Sequence, residues 1–151
     1  MPRSEDERED ALDRAVRALA RRDHSAESLR AKLERAGVSE PARDAALKTL
    51  AGVGYVDDER FARDRAERLA ARGYGDDWIR ADLEAQGIAQ EAAETALAAL
   101  EPERERVLRE ARKLETGPRA ARALQRRGFS EEALEGVLAG PVADDPGAGV
   151  G

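Results

Sequence analysis

The chain repeats itself. Displaced by 50 residues, Leu19–Leu50 lies over Leu69–Leu100 without a gap, and twelve of these 32 positions are identical. The matches include Leu33/Leu83, Gly37/Gly87, Leu47/Leu97 and Leu50/Leu100, with Val38 facing Ile88. An alanine-rich sequence produces some identities by chance. It does not place a glycine, the apolar residue after it and the flanking leucines in one register. A third, shorter copy follows at an offset of 41 from the second and 91 from the first: Leu124 to Ser130 lies over Leu33 to Ser39, and Leu138 falls over Leu47 and Leu97. Self-similarity at such a period is the mark of stacked supersecondary units.

Each copy reads as three helices. Leu12, Val16 and Leu19 form an apolar stripe at helical spacing. Ser25 stands at an N-cap, where its hydroxyl accepts from an unpaired backbone N–H ahead of Leu29 and Leu33. Gly37 is the C-terminal stop, because a left-handed residue costs glycine nothing. Val38 plugs the corner, Ser39 caps the next helix, and Leu47 with Leu50 supplies the third stripe. Asp57 and Asp58 suit the start of the second copy's first helix. In the third copy the closing helix is expected to stop at Gly140-Pro141.

The expected fold is all-α: an elongated array of three tandem three-helix, helix-turn-helix-like repeats, about nine helices in total. Ala, Leu, Glu and Arg dominate, and the five aromatics (Tyr55, Phe61, Tyr74, Trp78 and Phe129) are too few to face a sheet. The expected segments are an acidic extension over 1–10, repeats over 11–56, 57–102 and 103–139, and a disordered tail over 140–151.

The same residues narrow the chemistry. There is no cysteine and a single histidine, His24, so thiolate sites and histidine metal cages are excluded. Asp57-Asp58 is read as a helix start rather than a cation site, and Gly73-Tyr74-Gly75 lacks the Lys-Ser/Thr of a phosphate loop. No nucleophile–base pair stands out, so neither an enzyme nor a cofactor is expected. No apolar run reaches the roughly 20 residues a membrane span needs. The opening Met1-Pro2-Arg3-Ser4-Glu5-Asp6 is unlike a signal peptide, which leads us to expect a cytoplasmic protein.

Charge varies along the chain. Residues 11–56 carry nine bases and six acids, 57–102 six and twelve, and 103–139 nine and seven, within a total net charge of -6. One basic cluster comprises Arg21, Arg22, Arg30, Lys32 and Arg35; another comprises Arg119, Arg122, Arg126 and Arg127. Either is a solvated face with i,i+4 pairs such as Arg30–Glu34, or a contact surface for an acidic partner. Arg126-Arg127 is the stronger candidate, since no acid lies between Glu115 and Glu131. His24 is read as a loop residue at a helix start, and Tyr55, Tyr74 and Trp78 as core residues near the first junction that would become interface anchors if exposed.

In this arrangement the chain resembles the RecX family, regulators of the bacterial recombinase RecA. The elements are His24-Ser25 with Leu29, Lys32-Leu33 and Gly37, then Gly54-Tyr55-Val56-Asp57-Asp58-Glu59-Arg60-Phe61-Ala62. Arg72-Gly73-Tyr74-Gly75, Ile79, Leu83 and Gly87-Ile88 follow in order, and the likeness extends over roughly 11–139.

The resemblance implies a regulator that binds RecA and its single-stranded-DNA filament, along the filament groove. It would inhibit ATP hydrolysis, strand exchange and SOS repressor cleavage, acting in homologous recombination and DNA repair. The expected partner-binding residues are Arg21, Arg22, Arg30, Lys32, Arg35, Tyr74, Arg122, Arg126 and Arg127. The chain is expected to act as a monomer, with weak direct DNA contact at most and no membrane. The competing reading is an autonomous helix-turn-helix-like nucleic-acid binder. The acidic middle segment and the scarcity of aromatics argue against it.

Overall fold

A computed structural model describes residues 3–143. Among them are nine helices and no strand: α1 Arg3–Arg21, α2 Ala26–Arg35, α3 Glu40–Gly52, α4 Asp58–Ala71, α5 Asp76–Ala85, α6 Gln90–Ala98, α7 Glu103–Ala111, α8 Pro118–Arg126 and α9 Glu131–Ala143. They form two compact units. The first joins residues up to 64 with 83–93, and the second joins 65–82 with 94 onward.

In the first unit α1, α2 and α3 close around Ala15, Ala18, Leu29, Leu33, Leu47, Leu50 and Val56. The inward face of α1 is not the expected one. Ala11, Ala15 and Ala18 are buried, Leu12 and Leu19 lie at the rim, and Val16 is exposed. Ala11 packs with Ala42 and Ala46 of α3, so small side chains on both helices let the backbones approach closely. The larger residues are left to flank that seam. Ser25 Oγ accepts from the Ser28 N–H at 3.0 Å, as an N-cap should. Ser39 also occupies an N-cap position but makes no side-chain cap bond; α3 instead carries Pro41 in its first turn, where a missing N–H is no loss.

The second unit buries Val107, Leu124, Phe129, Ala133 and Leu134 between α7, α8 and α9. Leu138 does not join them: it is 65% exposed, because Val137 takes the inward place one residue earlier. Helix α9 also runs through Gly140 and Pro141 to Ala143 rather than stopping there. A proline removes one backbone donor and crowds the preceding turn, but here that falls on the last turn. Residues 144–151 of the expected tail lie outside the described residues.

One joint recurs. Gly37, Gly87 and Gly128 close α2, α5 and α8 at φ +84°, +77° and +87°. In each case the next residue's N–H (Val38, Ile88, Phe129) returns to the carbonyl five residues earlier, at 3.0, 3.0 and 3.2 Å. In the first unit the α2 start lies against the second of these corners. Ser25 Oγ donates to the Gln86 carbonyl at 2.6 Å, Asp58 Oδ1 accepts the Ala26 N–H at 2.8 Å, and the Glu27 Cβ covers Gly87. In the second unit the α5 start lies against the third. Gly75 N–H donates to the Arg127 carbonyl at 2.7 Å and Asp77 N–H to the Gly128 carbonyl at 2.9 Å. Glu103 Oε2 accepts the Asp76 N–H at 2.8 Å, and Trp78 covers Gly128. A side chain at either covered glycine would collide with the helix above it.

Candidate interaction surface

Among the described residues no cluster of three or more His, Asp or Glu side chains could hold a metal ion, and no helix is long and apolar enough to cross a membrane. What the molecule presents is a set of charged and aromatic surfaces.

Arg21 closes α1, Arg22 follows it, and Arg35 closes α2; all three are exposed and have no ion pair among the described residues. Arg22 and Lys32 both act on His24, which is buried at 1% exposure. Its Nδ1 lies 3.1 Å from Ser28 Oγ while its Nε2 has no protein partner. Burial first, then the positive charges of Arg22 and Lys32, push its pKa below the ordinary 6.5. The histidine does sit in the loop before α2, but as an interior side chain rather than a surface one. Arg30 departs from expectation. It pairs with Asp44 of α3 and approaches Glu27 at 3.8 Å, not Glu34. Its guanidinium is committed to fastening α2 to α3.

The second basic cluster divides. Arg119, Arg122 and Arg126 are exposed and stand at i, i+3 and i+7 on α8, so they form one stripe. Arg122 Nε donates to the Pro118 carbonyl at 3.3 Å, and none of the three has an ion pair among the described residues. Arg127, expected to be as accessible as Arg126, is not. Its Nη1 lies 3.2 Å from Oε1 of Glu110, a buried carboxylate that also receives Lys113 at 2.9 Å. Spacing along the sequence hid this acid, because it arrives through the fold.

The aromatics are placed differently from the expectation of core packing. Tyr55 is 60% and Trp78 44% exposed, whereas Phe61 and Phe129 are interior. Tyr74 is half-buried and stacks on Trp78 at 4.6 Å and 12° between planes, with the Arg72 guanidinium 6.0 Å from its ring centre. In the first unit Tyr55, Val16, Leu19 and Arg60 line an open concavity of about 390 Å3. Exposed aromatic and aliphatic side chains beside a guanidinium are what protein interfaces commonly use as anchors.

Sequence reasoning missed Arg106 altogether. It is 5% exposed, and its guanidinium pairs with Asp76 while donating to the Glu101 carbonyl at 2.8 Å and the Tyr74 carbonyl at 3.2 Å. Burial holds the Asp76 pKa above the ordinary carboxylate value even though Arg106 and its hydrogen bond pull it down. Nothing in the repeat pattern marked this arginine among the many of the third copy.

Comparison with known proteins places this architecture. Residues 11–50 match the family model described as RecX, first three-helix domain, and residues 57–97 match that of RecX, second three-helix domain. A regulatory protein RecX of Thermus thermophilus is 42% identical over 120 residues, covering 80% of this chain and 84% of its own. One of Syntrophotalea carbinolica is 44% identical over 64 residues, a match spanning 42% of each chain. The crystal structure of RecX from Lactobacillus salivarius superimposes with a TM-score of 0.80 at 18% identity, over 89% of this chain and 96% of that one, and so speaks to the fold. On the breadth and identity of the Thermus match, together with the nine-helix fold, the chain belongs to the RecX family of regulatory proteins.

Proposed function

We propose that this protein binds RecA and the RecA filament on single-stranded DNA, and that binding lowers ATP hydrolysis, strand exchange and cleavage of the SOS repressor. It acts in the cytoplasm by occupancy rather than chemistry. The observation that carries the reading is the 42% identity to a regulatory protein RecX across 80% of the chain. The surface supports it: the α8 stripe of Arg119, Arg122 and Arg126 offers guanidiniums with no ion pair among the described residues, and Tyr55 and Trp78 offer exposed rings. Guanidiniums of this kind suit an acidic protein face or accessible phosphates.

The test is single-stranded-DNA-dependent ATP hydrolysis by the RecA of the same organism, titrated with this protein. Inhibition at well below one copy per RecA protomer is the expected result, and the Arg122→Glu/Arg126→Glu variant is expected to lose about tenfold in potency. No effect at saturating excess, with the protein helical by circular dichroism, refutes the proposal. High-affinity, salt-sensitive DNA binding in the absence of RecA would favour the autonomous nucleic-acid binder instead.

A further inference from the structure

An acid stands one turn ahead of a wholly buried residue at the start of every module: Glu7 before Ala11, Asp58 before Ala62 and Glu103 before Val107, the latter of each pair at 0% exposure. Every module also ends its second helix on a left-handed glycine, at Gly37, Gly87 and Gly128. In two of the three, acid and glycine together grip the start of a helix: Asp58 with Gly87 holds α2, and Glu103 with Gly128 holds α5. The first module has the same parts with nothing between them among the described residues. A Cβ built on Gly37 would meet no atom within 4 Å. Glu7, Asp10, Gly37, Val38 and Ser39 line a cleft of about 140 Å3 there. Ser39 is the counterpart of Ser130, which in the occupied corner hydrogen-bonds Glu103 at 2.5 Å, whereas Ser39 makes no cap bond.

The complementary part is on the same chain. Helix α8 is the third module's counterpart of α2 and α5, and among the described residues nothing grips its start. Gly117 provides no side-chain cap, and a Cβ there would meet nothing within 4 Å. Its backbone N–H and that of Arg119 correspond to the Gly75 and Asp77 donors that reach the third corner. Pro118 stands where Ala26 and Asp76 give their amides to an acid, and has none to give. In its place this first turn carries an exposed cation, Arg119, and no acid, whereas α2 and α5 open with Glu27 and with Asp76 and Asp77. A cation at the positive end of a helix is unfavourable by itself and becomes favourable beside a carboxylate.

We propose that the cleft between Glu7 and Gly37 receives the start of α8 from a second copy of this chain, so that copies join head to tail through a third version of the internal joint. Arg119 meets Glu7, and the Gly117 and Arg119 amides meet the Ala36 and Gly37 carbonyls. The contact is heterologous, joining a patch of the first unit to a different patch, on the second unit, of another copy. It lacks the tether that makes the internal joints intramolecular, so it is weak, and a dilute sample is monomeric. It requires no other partner.

Sedimentation velocity of the full chain over a concentration series reads it directly, with no RecA or DNA present. The weight-average sedimentation coefficient is expected to rise with concentration. Glu7→Arg and Arg119→Glu, both at exposed positions, should each weaken association at least about tenfold. The double variant carrying both changes should recover it, because the charges are exchanged rather than lost. A chain that stays monomeric at every concentration overturns the proposal. So does association that ignores both single changes, or that the double variant fails to recover.

Discussion

Two glycines of the first unit provide an internally controlled test of the joint. Gly37 and Gly87 have nearly the same backbone, at φ +84° and +77°, and each closes a ten-residue helix. Replacing either by alanine forces an L-residue into the left-handed region at roughly 1–2 kcal/mol. A stiffer unfolded chain offsets about 0.4–1 kcal/mol of that. Gly37→Ala should therefore cost about 1 kcal/mol, since its new methyl meets nothing within 4 Å. Gly87→Ala bears the same cost and also drives the methyl into the Glu27 Cβ. That atom is one bond from the backbone and cannot swing aside, so overpacking adds about 1–3 kcal/mol. Urea denaturation followed by helical circular dichroism, at a concentration where the protein is monomeric, should separate the two midpoints by roughly 1 M at ordinary slopes. Equal midpoints would refute the account, because they would mean that nothing rests on Gly87.

Other consequences follow from the buried polar groups. Arg106→Leu strands Asp76 and two carbonyls and should cost about 3–5 kcal/mol by the same denaturation assay, with partial recovery on adding Asp76→Asn. Ser25→Ala removes both the α2 cap and the bond to the Gln86 carbonyl, for about 1–2 kcal/mol. His24 has a folded pKa below 6.5, so the unfolded chain binds the proton more readily. Its contribution is full above that value and is lost as pH falls toward the folded pKa. Thermal stability should thus decline as pH falls below about 6.5, and His24→Gln should flatten that decline; an unchanged slope would remove His24 from the explanation.

The repeat made much of the fold legible. The helices begin and end close to where Ser25, Gly37, Asp58, Gly87 and Gly128 place them, because caps and left-handed stops are local chemistry. Rotation of the faces was harder to read. A stripe of Leu12, Val16 and Leu19 is as good a helical period as Ala11, Ala15 and Ala18, and only the partner α3 decided for the alanines. The one-residue slip that exposes Leu138 in favour of Val137 has the same origin.

Of the nine residues expected to meet a partner, Arg21, Arg22, Arg35, Arg122 and Arg126 stand exposed without an ion pair among the described residues. Arg30 and Arg127 are engaged by Asp44 and Glu110. Those acids lie 14 and 17 positions away, beyond any spacing a helix face can reveal. By itself the sequence determined composition, period, caps and glycine stops, each set by the energetics of a few neighbouring residues. Tertiary structure alone decided which charges are spent inside the fold, which aromatics reach the surface, and which of three equivalent corners is left open. Those outcomes depend on what lies across a gap in space, and a linear order of residues does not record it.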